Sequence, residues 1–211
     1  MHSSLEVLTP AACLDLTVLE TAKMELGIAP GDTSKDDQIA TQIKQASGIV
    51  AAYCNTVFGA EELLETFWCD APSSYERSFM LSREPVISID SVVIDGQLID
   101  SSQYRMAQDG HLHRIDTARM SFWCLMSVAE IQYTAGYVLL DDLPYGIEKA
   151  TLALIKTFHF NIGADPSLRS EDIPGIRSVT YNVGSSSSSI EGSLPSEITA
   201  LLRPFRRLVF A

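Results

Sequence analysis

The sequence lacks the features that would place the chain in a membrane or in a secretory route. No apolar run approaches the ~20 residues that a bilayer-spanning helix needs. The opening residues, MHSSLEVLTP, carry neither the basic nor the apolar region of a signal peptide. These absences predict a soluble protein made in the cytoplasm. The few cysteines lie far apart in the sequence, which favours reduced, mostly buried thiols over disulfides or a metal site: Cys13, Cys54, Cys69 and Cys124.

Motifs that commonly mark catalytic or nucleotide-binding sites are also absent. There is no GxSxG, no GxxxxGK[ST] and no GxGxxG after a strand. His111 and His113 alternate along a predicted strand near Asp109 and Asp116, but a zinc site needs three or four ligands. The pattern favours a polar strand surface, and an unrecognised enzyme site around His111, His113 and Asp109 is the alternative. We therefore predict no catalytic residue, no metal and no cofactor.

Charge is unevenly distributed along the chain, whose formal net charge is −12. Residues 1–149 hold 9 Lys/Arg and 22 Asp/Glu, whereas residues 150–211 hold 6 Lys/Arg and 5 Asp/Glu. The last nine residues contain Arg203, Arg206 and Arg207 and no acid. An acidic body argues against adhesion to nucleic acid. It is compatible with solubility alone, or with DNA that slides past without binding.

Apolar spacing predicts three long helices, near residues 17–27, 34–57 and 144–162. Thr17 and Glu20 form a capping-box pattern at the start of the first helix. The second carries a single apolar stripe, so it needs packing partners. The acidic pairs 36–37 and 141–142 lie at helix starts, where they complement the helix dipole.

A period closer to two predicts an antiparallel sheet between the second and third helices. The turn pairs Asp95-Gly96 and Asp109-Gly110 predict tight hairpins. The predicted strands are 63–69, 78–81, 87–94, 104–106, 111–115 and 128–134.

A serine run at 185–189 predicts a flexible linker, and an amphipathic helix begins at Pro195 beyond it. Pro204 is expected to end that helix near Arg203. The helix either docks on a partner or folds back on its own domain, and the pattern alone does not decide between them.

The fold class predicted is α+β, a small helical bundle with an inserted antiparallel β-sheet block and a tethered C-terminal helix. Five divisions are predicted. The N-terminal helices of the bundle take residues 1–62, the β-rich insertion 63–137, and a helix and strand that complete the bundle 138–184. A Ser-rich linker at 185–193 then leads to a C-terminal docking segment at 194–211.

Four short motifs occur in order along the chain: LDLTVLETAK at 14–23, LSREPV at 81–86, EIQYTAGY at 130–137 and ALLRPFRR at 200–207. In this arrangement the chain resembles the head–tail connector (adaptor, head-completion) proteins of tailed bacteriophages. The resemblance implies a non-enzymatic virion protein, made in the host bacterial cytoplasm, that forms a homo-oligomeric ring at the head–tail interface. Another tail-completion or minor capsid assembly protein is the alternative.

The resemblance also implies partners. The ring, typically a dodecamer, would bind the portal protein and receive a tail-side stopper or tail terminator protein, and DNA would pass through its lumen without sequence-specific binding. No membrane partner is expected, because no apolar run is long enough to span a bilayer. The portal-binding residues that it implies are Leu201, Leu202, Arg203, Pro204, Phe205, Arg206 and Arg207.

Overall fold

The structure is a computed structural model that describes residues 2–68, 74–107, 109–116, 119–125, 128–139, 142–160, 170–173, 177–180 and 194–207. The chain divides into a β unit, Met1–Cys13 and Phe58–Leu139, and a helical unit, Leu14–Val57 and Leu140–Ala211. Residues 1–13, which the sequence pattern assigns to the bundle, therefore belong to the β unit. The predicted serine linker lies outside the described residues.

The described part of the helical unit contains α1 (Leu19–Leu26), α2 (Asp36–Cys54), α3 (Tyr145–Phe160) and α4 (Ser196–Leu202). The three long predicted helices are confirmed. Helix α2 ends at Cys54 because Asn55 takes a left-handed conformation and donates its N–H back to the last turn. Among the described residues, no helix has both the length and the apolar composition that crossing a bilayer requires.

The start of α1 differs from the predicted capping box. The helix begins at Leu19 after Val18, and no side chain caps it. Thr17 is buried, and its hydroxyl donates instead to Glu148 Oε1 at 3.3 Å, on α3. The capping-box prediction is therefore wrong, because Thr17 is used in packing between helices.

The helical core is built from apolar stripes on all four helices. Helix α3 packs against α1, α2 and α4. One charged group enters this core: Lys23 is 4% exposed, and its Nζ lies 2.7 Å from Asp36 Oδ1 and 3.3 Å from the Pro30 carbonyl oxygen. This ion pair ties α1 to the start of α2. The buried apolar residues of the unit are Leu16, Ala22, Ile39, Ile43, Ala46, Val50, Tyr53, Cys54, Ile147, Ala150, Leu154, Ile155, Ile198 and Leu202.

The larger sheet of the β unit has five antiparallel strands in the order β1-β2-β11-β5-β6. Its members are β1 (His2–Thr9), β2 (Glu61–Trp68), β5 (Val86–Ile94), β6 (Gln97–Leu98) and β11 (Val128–Ala135). Strand β1 has no predicted counterpart, because its side chains are almost all exposed and carry little pattern. Pairing with β2 alone defines it.

The smaller sheet has the order β4-β8-β7, with β9 also on β8. Its strands are β4 (Ser78–Met80), β7 (Tyr104–Met106), β8 (His111–Asp116) and β9 (Arg119–Ser121). The short strands β3 (Ser74–Glu76) and β10 (Trp123–Leu125) pair separately, as do β12 (Ser170–Ile173) and β13 (Arg177–Thr180) in the helical unit. All six predicted strands are confirmed within about two residues.

The inner faces of the two larger sheets share one core. Strands β2 and β11 bury alternate side chains, and β4 and β8 contribute Phe79 and Leu112 from the other side. Trp123 is fully buried between them and donates its indole N–H to the Leu112 carbonyl at 3.1 Å. The sheets therefore form two layers whose outer faces point away from each other.

Candidate partner-binding surface

Helix α4 packs on its own helical unit. Ile198 is 3% exposed and Leu202 is fully buried, and the helix contacts α2 and α3. The Phe205 ring lies over Gly146, where a Cβ would meet its Cε2 at 3.3 Å. Of the two alternatives that the sequence left open for this helix, the structure has the folded-back one.

A short turn follows α4 and is fixed to α2. The chain continues as a 3-10 turn, Arg203–Phe205, with Pro204 inside it, so the helix ends where the proline predicts. The Arg207 N–H donates to the Cys54 carbonyl at 2.9 Å. The Arg206 guanidinium lies 5.4 Å from the centroid of the Tyr53 ring. We name residues 203–207 the arginine turn.

The predicted portal-binding residues fall into two groups. Leu202 is buried, and Leu201 and Phe205 are half-buried against the helical unit. Arg203, Pro204, Arg206 and Arg207 are exposed, so of the seven residues these four are the most accessible to a partner. The first group packs on the helical unit and holds the arginine turn in place, and the second group is exposed on the surface of the turn.

The histidine pair lies on the outer face of the smaller sheet. The ring centroids of His111 and His113 are 6.1 Å apart, and His111 Nδ1 lies 3.1 Å from Ser78 Oγ. Within the part of the chain that the structure describes, no three His, Cys, Asp or Glu side chains come close enough to hold a metal ion. Strand alternation places both rings on the polar surface that their spacing predicts.

One carboxylate is fully buried in the β unit. Glu65 accepts hydrogen bonds from the Ser82 N–H at 2.7 Å, the Ser82 hydroxyl at 2.5 Å and the Tyr133 hydroxyl at 2.9 Å. Burial, together with the neighbouring carboxylate, raises the pKa of Tyr133. The group joins β2, β11 and the loop after β4, so its role is to hold the layers together.

Two of the four cysteine side chains are described. Cys54 is buried in α2, and Cys13 is exposed. The burial that the sequence predicts for the thiols thus holds for Cys54 and is wrong for Cys13, which lies in the segment after β1.

The outer faces of the two sheets differ in charge, which the sequence pattern did not reveal. Strands β1, β2, β5, β6 and β11 contain no Lys or Arg. On the smaller sheet, register places Arg105, His111 and His113 on the outer face, whereas Arg114 and Asp116 alternate to the other side of β8. Only the strand register brings these residues onto shared faces.

Comparison with known proteins identifies the family. The family model described as "Head completion protein" matches residues 23–208, which spans both units and ends beyond the arginine turn. The chain belongs to the head completion protein family. The resemblance that the motifs indicate is confirmed, and with it a structural role in the head–tail connector of a virus particle.

Solved structures share the fold of this head completion protein. A chain of the neck of an empty GTA particle, computed with C6 symmetry, has a TM-score of 0.55 at 14% identity, covering 99% of this chain and 97% of that one. A chain of the virion of a native gene transfer agent particle has a TM-score of 0.54 at 14% identity, covering 98% and 97%. No curated protein sequence matches the chain.

Proposed function

We propose that this head completion protein assembles as a ring between the capsid portal and the tail, and that the arginine turn contacts the portal. The proposal is based on the arginine turn, which is basic and exposed and which follows the packed helix α4. The chain that carries this turn is acidic overall and belongs to the head completion protein family. The ring would be a dodecamer in the virion neck, built from chains made in the host bacterial cytoplasm. Its role is mechanical and needs no catalytic residue or cofactor.

The anchoring of the turn supports a binding role. Arginine is enriched among the residues that dominate interface energies, because its guanidinium forms several hydrogen bonds and stacks on aromatic rings. Arg203 and Arg207 extend from a backbone that the Arg207–Cys54 hydrogen bond and buried Leu202 hold in place. A pre-organised turn loses little conformational entropy on binding. The matching portal surface would carry carboxylates or carbonyl oxygens.

The acidic body supports passage of DNA. With a net charge of −12, the chain repels duplex phosphates at short range and offers few cations for counterion release. A ring of such chains would let DNA move through its lumen without sequence-specific binding. A tail-side stopper or terminator protein would bind the opposite end of the ring.

The proposal is tested by reversing the exposed charges of the turn. The double variant R203E/R207E should fold normally and lose binding to the portal protein of the same particle, measured by sedimentation of the mixed proteins. K44E/K149E makes the same change in net charge at exposed sites on α2 and α3 and should retain binding. Equal binding by R203E/R207E and the wild type would refute the portal contact.

Truncation of the C-terminus is a less selective test. Removing residues after Gly192 deletes α4, and with it the buried side chains of Ile198 and Leu202. A loss of portal binding could then result either from exposure of the helical core or from loss of the arginine turn. The charge-reversal pair separates the two causes, because both arginines are exposed.

A further inference from the structure

The β unit has two outer faces of different chemistry on opposite sides of one core. We name the outer face of the five-stranded sheet the acidic face and that of the smaller sheet the His–Arg face. Because both sheets direct alternate side chains into the shared core, the remaining side chains of each sheet point away from the other sheet. One copy thus presents both faces at once.

The acidic face is built by strand register. Glu6 lies opposite Leu64, and Glu130 lies opposite both Thr66 and Val93, so these residues share the outer side. Glu62 accepts hydrogen bonds from Thr9 and Gln132, which lower its pKa and keep it ionised. Asp90 accepts a hydrogen bond from Thr134 at 3.4 Å on the same side. The five strands contain no Lys or Arg beside these carboxylates.

The His–Arg face combines hydrogen-bond donors with exposed apolar side chains. Register pairs Arg105 and Ser78 with His113, and Met80 with His111, on the side away from buried Leu112. The imidazoles can donate to carboxylates in either protonation state, and Arg105 is always charged. Met80 is 64% exposed, and Met120, opposite Ile115, is 77% exposed. Asp116 alternates to the other side of β8, opposite Arg119.

We propose that the His–Arg face of one copy binds the acidic face of the next copy. The inference rests on the proposed ring and names a contact that would build it. A contact between two different faces is heterologous, and such contacts close into rings when the rotation between copies is suitable. In this contact, Arg105 and the two histidines of one copy donate hydrogen bonds to the carboxylates of the next copy. The contact also covers the exposed Met80 and Met120.

A second copy fits the His–Arg face better than DNA does. Phosphate binding draws its affinity from several neutralising cations, and this face has one permanent charge, Arg105, beside two histidines. Exposed Met80 and Met120 add apolar area that a duplex backbone would not match. The chain as a whole has a net charge of −12 and repels DNA, whereas the acidic face of a second copy supplies complementary charge without that penalty.

Zero-length crosslinking tests the contact. The β unit contains no lysine, so R105K introduces one amine on the His–Arg face while keeping its charge. Equal amounts of 14N- and 15N-labelled R105K chains are bound to portal, and separately concentrated alone at low salt, then treated with carbodiimide. Mixed-isotope peptides joining the introduced lysine to Glu6, Asp90 or Glu130 are expected. Q97K, exposed on β6, is the control and should give none.

The outcomes separate this inference from the proposed function. Portal-bound copies that crosslink through native lysines, but never through the lysine of R105K, overturn the face-to-face contact and leave the ring intact. The expected crosslinks in the free chain, without any portal binding, support the contact and refute the portal role.

Charge reversal provides a second readout. R105E and E130K should each weaken copy-to-copy association by about tenfold, measured by sedimentation of the chain alone at low salt and of the chain bound to portal, and K44E should not; circular dichroism checks that each variant is folded. Unchanged association in both variants counts against the contact. Duplex DNA binding by the free chain that R105E abolishes, with copy-to-copy association unchanged, would make the face a DNA surface and overturn the inference.

Discussion

Substitution of Leu202 by alanine separates anchoring from docking at the C-terminus. Leu202 is fully buried between α4 and its neighbours, and Ile198 beside it is 3% exposed. A seven-residue helix has little stability of its own, so these two side chains hold α4 in place. Buried leucine-to-alanine changes cost about 2–5 kcal/mol, and with Leu202 completely buried we expect a cost of about 3 kcal/mol for Leu202→Ala.

The expected change in melting temperature follows from chain length. For 150–250 residues, 1 kcal/mol shifts Tm by about 2–4 °C, so Leu202→Ala should lower Tm by roughly 6–12 °C. Calorimetry measures the shift. Hydrogen exchange of peptides covering 194–207 locates it, since loosening α4 should speed exchange there and in the last turn of α2. Arg203→Ala, at an exposed position, should stay within about 0.5 kcal/mol.

One combination of results would contradict the anchoring role of Leu202. If Leu202→Ala left Tm and exchange at 194–207 unchanged while it weakened portal binding, Leu202 would contact the partner directly. Helix α4 would then leave its own unit in the assembled particle, as the docking alternative requires.

Three further predictions concern buried groups of the two units. Burial raises the pKa of the Cys54 thiol to about 11, so ionisation of this thiol opposes folding. The stability associated with the neutral thiol is present below about pH 8.5 and should be lost as the pH rises toward 11. Over that range, urea unfolding should show the free energy of unfolding falling more steeply with pH for the wild type than for Cys54→Ala. Tyr133→Phe removes a donor to buried Glu65 and should cost about 1–3 kcal/mol by the same assay. Gly136→Ala should cost more than about 1 kcal/mol, because Gly136 has φ +120° and a Cβ would lie 2.4 Å from the Gly59 carbonyl oxygen.

Long periodic segments were predictable because their signal is local. Helices α2 and α3 and strands such as β2 and β11 repeat apolar residues every 3–4 or every second position, and one buried face is enough to produce that pattern. The Asp95-Gly96 turn was predictable for the same reason, since positive φ at both residues is a local demand.

Other features depend on contacts that a linear pattern does not contain. Strand β1, HSSLEVLT, buries almost nothing and exists through its hydrogen bonds to β2, more than fifty residues away. The apolar stripe of Ile198 and Leu202 predicts that one side of α4 is buried. It does not predict whether that side packs on the helical unit or on a partner. The acidic and His–Arg faces arise from register between strands that are far apart in the sequence, so neither face appears as a motif in the sequence.

The points where the chain enters and leaves residues 58–139 explain how a helical sequence tolerates so long an insertion. Tyr137 donates its N–H to the Phe58 carbonyl at 2.7 Å, and Ala60 donates to the Tyr137 carbonyl at 3.0 Å. A Cβ at Gly136 would lie 2.4 Å from the Gly59 carbonyl oxygen, and a Cβ at Gly59 would lie 2.7 Å from the Ala11 Cβ, so neither position has room for one. Because entry and exit lie side by side, α2 and α3 need only a short span between them. The insertion therefore adds a folded unit without separating α2 from α3, and the helical unit keeps the residues that anchor the arginine turn.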